Sequence, residues 1–234
     1  MARIDRDFAA KLLDAVDDSD AYGVHQLFND WWRYAPADVI AKYEFDFGNL
    51  PEHRAFVDAR YYAPTLELED LEAMPEGTLG RAYGHFIRDN GLATKLATDY
   101  RVFHEHLRAS GKLDAMPEDL QYAILRGFQM HDFLHVLTGY DSSGLSEIGL
   151  QAFSLAQLRF PYFGMWLSVM TTRMTFNDPD LIVPVMDAIT RGWQLGRSVG
   201  QLSFERWEER LDEPLIELRR QKGIDASGLL PLAA

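Results

Sequence analysis

The chain contains no cysteine. Disulfide staples and thiolate chemistry are excluded, and any bound metal has to be held by nitrogen and oxygen donors. A basic surplus is also missing: 23 Lys and Arg stand against 36 Asp and Glu, for a net charge of −13. Phosphate backbones require a basic face, so nucleic acid is not an expected partner. No stretch reaches the roughly 18 to 20 uncharged apolar residues of a membrane span. The nearest, Phe160 to Thr172, is bounded by Arg159 and Arg173 and interrupted by Pro161 and Gly164. Such an element is a core helix or an interfacial one. Met1 to Phe8 holds no apolar signal core, which predicts a cytoplasmic protein. There is no G-x-S-x-G, no Gly-rich phosphate loop and no H-E-x-x-H, so those chemistries have no anchor.

What is present is an apolar fraction of 47% over 234 residues, enough for a sizeable core. No Gly/Ser/Pro-rich linker divides the chain, which predicts one domain over 1–234. Apolar residues recur at helical spacing: Phe8, Leu12, Leu13 and Val16, then Leu27, Phe28, Trp31 and Trp32, then Leu79, Tyr83, Phe86 and Ile87. Helices are expected over 5–16, 21–34, 52–59, 79–89, 95–110, 117–138, 144–158, 161–176, much of 180–207, and 206–221. Ala35 to Leu50 is polar and aromatic and receives no assignment. No alternation of period two persists, so the class is all-α, a multi-helix bundle.

The densest chemistry lies in His131-Asp132-Phe133-Leu134-His135, with Glu147 eleven intervening residues beyond. Histidines at i and i+4 share one helix face, the spacing at which two imidazoles grip one metal ion. Asp132 adds a hard oxygen, and Glu147 can close the set after the loop Thr138 to Gly144 reverses the chain. Histidine pairs at this spacing also occur on ordinary helix surfaces and in cores. Here Phe128, Met130, Phe133, Leu134, Val136 and Leu137 crowd the motif, and buried ionisable groups need partners or a cation. A mixed N/O set suits divalent zinc first, with iron or manganese also compatible. The remaining histidines, His25, His53, His85, His104 and His106, have no such partner spacing.

Two further patterns concern packing. Gly192, Gly196 and Gly200 form a small-residue face suited to close helix approach. Phe160, Phe163, Met165, Trp166, Met170, Met174 and Phe176 form a Met and aromatic stripe. Such stripes are more often core than ligand groove, yet Met is adaptable and suits a cavity for a long apolar ligand.

The whole pattern resembles the Coq-four family of ubiquinone (coenzyme Q) biosynthesis, whose hallmark is H-D-x-x-H-x11-E. Tyr122, Arg126 and Gly139 agree with the family helix, and Met74 to Tyr83 is similar to its "LPEG-S/T-x-G-x-x-Y" segment. Glu205 to Glu209 and Leu215 to Ile224 resemble its C-terminal segment, so the likeness spans roughly 65–225. Phe128 and Gln129 stand where the family usually has Arg and Glu. Gln151-Ala152-Phe153 replaces its Lys and Phe-Glu. The resemblance implies a divergent bacterial member, a homodimer peripheral on the inner membrane, that holds a polyprenylated aromatic lipid in an apolar cavity. It implies a divalent metal on His131, Asp132, His135 and Glu147. It also implies oxidative decarboxylation and hydroxylation at ring carbon one of a 4-hydroxybenzoate-derived ring. The alternative is a non-catalytic lipid-binding scaffold with a structural metal, organising the other ubiquinone biosynthesis proteins. A third class, an HD-type phosphohydrolase, lacks convincing distant ligands. Tyr122, Arg126, Phe163 and Met170 are the candidate substrate contacts.

Overall fold

Apolar residues at three- and four-residue spacing fold into thirteen α-helices, and no strand forms among the described residues. The computed structural model describes residues 4–19, 21–111 and 113–229; part of the Met1 to Phe8 reading therefore lies outside the described residues. In chain order, α1 is Arg6–Asp17, α2 Val24–Tyr34, α3 Ala37–Gly48 and α4 Pro51–Ala59. Next come α5 Leu68–Ala73, α6 Leu79–Asp89, α7 Ala93–Leu96 and α8 Tyr100–Ala109. The C-terminal half holds α9 Glu118–Thr138, α10 Gly144–Leu158, α11 Pro161–Asn177, α12 Ile182–Ser198 and α13 Leu215–Gln221.

The unassigned stretch after Ala35 is α3, which buries only Phe47 and so shows a weak apolar face. The single helix expected over 95–110 is two. Asp99 interrupts it, its carboxylate accepting from the N–H groups of Arg101 and Val102 at 3.0 Å each and starting α8 anew. The expected helix to Trp207 ends at Ser198, and the last helix starts only at Leu215, because Pro214 takes its N-cap position.

Two helices carry the architecture. On α9, Met130, Phe133, Leu134 and Leu137 enter a core shared with Tyr83, Ile87, Phe153 and Trp207. Tyr83 stacks on Phe133 with ring centroids 4.0 Å apart. α10 lies backbone to backbone along α12. Gly192 sits against the Gly149 carbonyl and Gly196 against that of Phe153, so any side chain at either glycine would collide. The glycine face is thus a packing device. α1 and α2 close over α11, where Phe8, Ala15, Val24 and Leu27 surround Val169.

The end of α9 is secured from the far end of the chain. Gly139 adopts φ 78° and stops the helix. Arg219 of α13 donates to the carbonyls of Leu137 at 3.0 Å and Val136 at 2.8 Å. These are among the carbonyls a helix end leaves without partners.

Candidate metal centre and adjoining cavity

His131 and His135 stand one turn apart near the end of α9, and Glu147 lies in the first turn of α10. Gly139 permits the reversal between them. Tyr140 then packs its ring on Gly149, and its carbonyl faces His135 Nδ1 at 3.1 Å. With Nδ1 directed there, Nε2 is the ring atom that points inward. Phe86 of α6 stacks on the same imidazole, centroids 5.0 Å apart, and fixes its plane.

The inward atoms converge. His135 Nε2 lies 3.1 Å from Glu147 Oε1 and 3.3 Å from His131 Nε2, and His131 Nε2 lies 3.4 Å from Glu147 Oε2. The three ligand atoms fall within 4.8 Å of one another, the one such group among the described residues. Burial works against a charge on Glu147, but hydrogen bonds and positive potential from His131 and His135 outweigh it and hold its carboxyl down at about 2. The carboxylate is therefore ionised at neutral pH. Two imidazole nitrogens and one carboxylate around a common point fit a small divalent cation, and a protein set of three leaves coordination positions open.

Asp132 is not part of this group. A helix turns about 100° per residue, so the neighbour of His131 faces elsewhere. Its two oxygens accept from Lys95 Nζ at 3.1 and 2.8 Å, beside Tyr83 and Tyr100. The expected four-residue set is thus three residues plus an ion pair that ties α7 to α9.

His131 and Glu147 open onto a cavity of about 890 Å³. Its walls come from α2 through His25 and Phe28, α9 through Ile124, Gly127, Phe128 and Leu134, and α10 through Gln151, Ser154 and Leu158. Phe160 and, from α11, Tyr162, Phe163 and Trp166 complete them. His25 stacks on Tyr162 at 5.5 Å and reaches its hydroxyl through Nδ1 at 3.4 Å. Burial pushes the Tyr162 hydroxyl up, helped by the charge of Glu147, and pushes His25 down.

Of the four candidate substrate contacts, only Phe163 lines the cavity. Met170 is half-buried further along α11, away from it. Tyr122 is buried and donates its hydroxyl to the Tyr61 carbonyl at 2.6 Å. Arg126 is buried against Glu208 at 2.6 Å. Both belong to the core because their partners lie on other elements, which a pattern read along one helix does not show. Conversely, His25 and Gln151 reach the cavity without having been singled out as site residues. Their company comes from distant helices, so no local spacing marks them.

Comparison with known proteins follows the same lines. The family model described as Coenzyme Q (ubiquinone) biosynthesis protein Coq4 matches residues 59–227. The mitochondrial ubiquinone biosynthesis protein COQ4 homolog of Danio rerio is 28% identical over 157 residues, covering 66% of this chain and 53% of that protein. The Homo sapiens homolog is 29% identical over 167 residues, covering 71% of this chain and 58% of that protein. The chain thus spans a little over half the length of these relatives. In fold, it resembles the crystal structure of a candidate ubiquinone biosynthesis protein from Nostoc punctiforme PCC 73102. The TM-score is 0.70 at 24% identity, covering 94% of this chain and 97% of that one.

Proposed function

The chain belongs to the Coq4 family of coenzyme Q (ubiquinone) biosynthesis proteins, and we propose that it acts in ubiquinone biosynthesis as a metal-dependent protein for a polyprenylated aromatic acid. The reaction is oxidative decarboxylation at ring carbon one of a 4-hydroxybenzoate-derived ring. The carboxyl group leaves as carbon dioxide, one oxygen atom of dioxygen enters as the hydroxyl, and the other leaves as water with two electrons and two protons from an external two-electron reductant. The observation that supports this reading is the opening of His131 and Glu147 onto the cavity.

His131, His135 and Glu147 would hold the divalent metal; zinc fits the donor set but is redox-inert and would supply Lewis acidity only, whereas iron or manganese would also suit a step that uses dioxygen. When bound, the metal supplies a Lewis-acidic position for the substrate carboxylate. The chain's own residues do the rest. Tyr140 and Phe86 orient His135. Phe128, Tyr162, Phe163 and Trp166 offer apolar faces to the ring and tail and exclude water from the reacting end. Each buried methylene of the tail contributes about 0.8 kcal/mol. The scaffold reading calls for a closed metal shell remote from any cavity, and the geometry favours the other case.

No helix among the described residues is long and apolar enough to cross a membrane. Phe176 and Val183, 80% and 70% exposed at the junction of α11 and α12, suit peripheral contact with a bilayer that supplies such a lipid. A homodimer and contact with other ubiquinone biosynthesis proteins belong to the same proposal. The decisive experiment is complementation of a null strain. Glu147→Ala, folded but metal-free, should not restore ubiquinone and should leave a prenylated ring that keeps its carboxylate. Full restoration by that variant would remove the catalytic role.

A further inference from the structure

The accessible polar groups of the cavity gather at its open end. His131 and Glu147 keep 29% and 32% of their side chains exposed, and His25 of α2, which lines the same cavity, is exposed as well. Phe28, Leu113 and Phe160, which also line it, are buried. A lipid with a polar ring and an apolar tail therefore lodges tail first and leaves its ring at the mouth. The His25 imidazole packs there on two rings, Phe128 with centroids 5.8 Å apart and Tyr162 at 5.5 Å. Phe128 precedes His131 by three residues on α9, about 4.5 Å along the axis at ~1.5 Å per residue. Tyr162 lies within the field of Glu147. His25 thus stands beside the metal group, on a different wall. Its Nδ1 faces the Tyr162 hydroxyl at 3.4 Å, and its Nε2 has no hydrogen-bond partner among the described residues. Solvent satisfies such an atom at an open mouth. A ligand that fills the mouth displaces the solvent and loses affinity unless it reproduces the bond.

We propose that His25 is a specificity-determining residue, its Nε2 pairing with a ring hydroxyl of the ligand while the acidic end of the ring faces His131, His135 and Glu147. The inference rests on the reading of the cavity as the site of an aromatic acid. A hydroxyl both donates and accepts, so it matches Nε2 in either tautomer of the imidazole. A ring of the same shape with hydrogen in that position leaves the nitrogen without solvent and without a partner. Sites built to pair a hydroxyl reject analogues lacking it on this ground. Tyr162 is the positioning residue, holding the imidazole through its hydroxyl at Nδ1 and through its stacked face. His25 belongs to α2, outside the residues 59–227 that the family model matches. The discrimination is therefore a contribution of this chain's N-terminal segment to a cavity whose metal group lies within the matched region.

The test is titration of the zinc-loaded protein with 3-geranyl-4-hydroxybenzoate and with 3-geranylbenzoate, which lacks the hydroxyl. Zinc is redox-inert and holds the site without turnover. One added neutral hydrogen bond predicts that wild type prefers the hydroxylated ring about threefold to tenfold. His25→Phe keeps a ring against Phe128 and Tyr162 but removes both nitrogens. It should bind the two ligands equally, the deoxy ring at least as well as wild type does, with wild-type zinc content. His25→Gln, whose amide ends near the place of Nε2, should keep part of the preference. Thermal melts establish that both variants are folded. A preference that survives in His25→Phe, or equal binding of both rings by wild type, overturns the role of His25 and leaves the cavity reading intact. Binding of neither ring by wild type overturns the cavity reading and this proposal with it.

Discussion

Arg126 looks from its position in the chain like a cationic hand for an acidic ligand, and its surroundings predict otherwise. Its side chain is fully buried and that of Glu208 is 2% exposed. Nη1 donates to Glu208 Oε1 at 2.6 Å and Nη2 to Oε2 at 3.0 Å, a bidentate pair. Nη2 also reaches the Glu205 carbonyl, and the rings of Phe56 and Tyr61 lie 5.4 and 5.3 Å from the guanidinium carbon. Removing one partner of such a pair strands a charge without water, at a cost of about 3–5 kcal/mol. In a chain of this size, each kcal/mol moves the melting temperature by about 2–4 °C. Arg126→Met and Glu208→Leu should therefore each melt about 6–20 °C below wild type. The double variant, with neither charge left, should recover most of the loss, a coupling of at least ~2 kcal/mol in a urea-denaturation cycle. It should also keep wild-type zinc content and ring affinity. Arg126→Met melting like wild type but failing to bind an aromatic acid would refute this reasoning and return Arg126 to the site.

Three further outcomes are expected. His135→Ala should lose most of the zinc bound by wild type, because one of three converging ligands is gone and Glu147 is left without its closest partner; elemental analysis equal to wild type would dismiss the site. His53 is fully buried between Phe47 and Phe204, and burial pushes it down to about 4 from 6.5. Above pH 6.5 it is neutral in both states; between 6.5 and 4 only the unfolded chain takes up the proton, so stability falls with pH by about 3 kcal/mol at ~1.36 kcal/mol per pH unit. His53→Leu should lack this component in urea melts at pH 7 and 4.5, and pH curves parallel to wild type would contradict it. Membrane-bound protein should be released by alkaline carbonate and not by salt alone, since apolar contact outweighs charge attraction in an acidic chain.

The fold class was legible because helical periodicity is a local signal, and so were the ends of α6, α9, α10 and α11. What misled was local too. Lys95 to Ser110 keeps its periodicity across Asp99, and only the carboxylate turning back on the backbone shows that the helix restarts there. Arg206 to Gln221 reads as one amphipathic run, yet residues 207–209 make a 3-10 turn and helix returns after Pro214. Within the site, the i, i+4 spacing placed His131 and His135 together and the loop composition brought Glu147 to them. Adjacency in the chain suggested Asp132 as well, but adjacency on a helix means different faces, and Lys95 claims it.

The cavity illustrates a harder boundary. Periodicity states which side chains of a helix share a face, but not whether that face meets another helix or an empty space. On α10, Ile148, Ala152 and Phe153 are buried in packed surroundings, while Glu147, Gln151, Ser154 and Leu158 line the cavity. What separates the two faces physically is the approach of α12. Gly192 and Gly196 let it come so close that it fills one side of α10 with backbone, leaving bulkier aromatic residues of α2 and α11 to bound the other side from a distance. Small residues on one helix thus set where the open volume beside another can lie. The glycine face has no chemistry of its own, yet through α10 it determines which row of side chains, Glu147 first among them, is presented to a ligand.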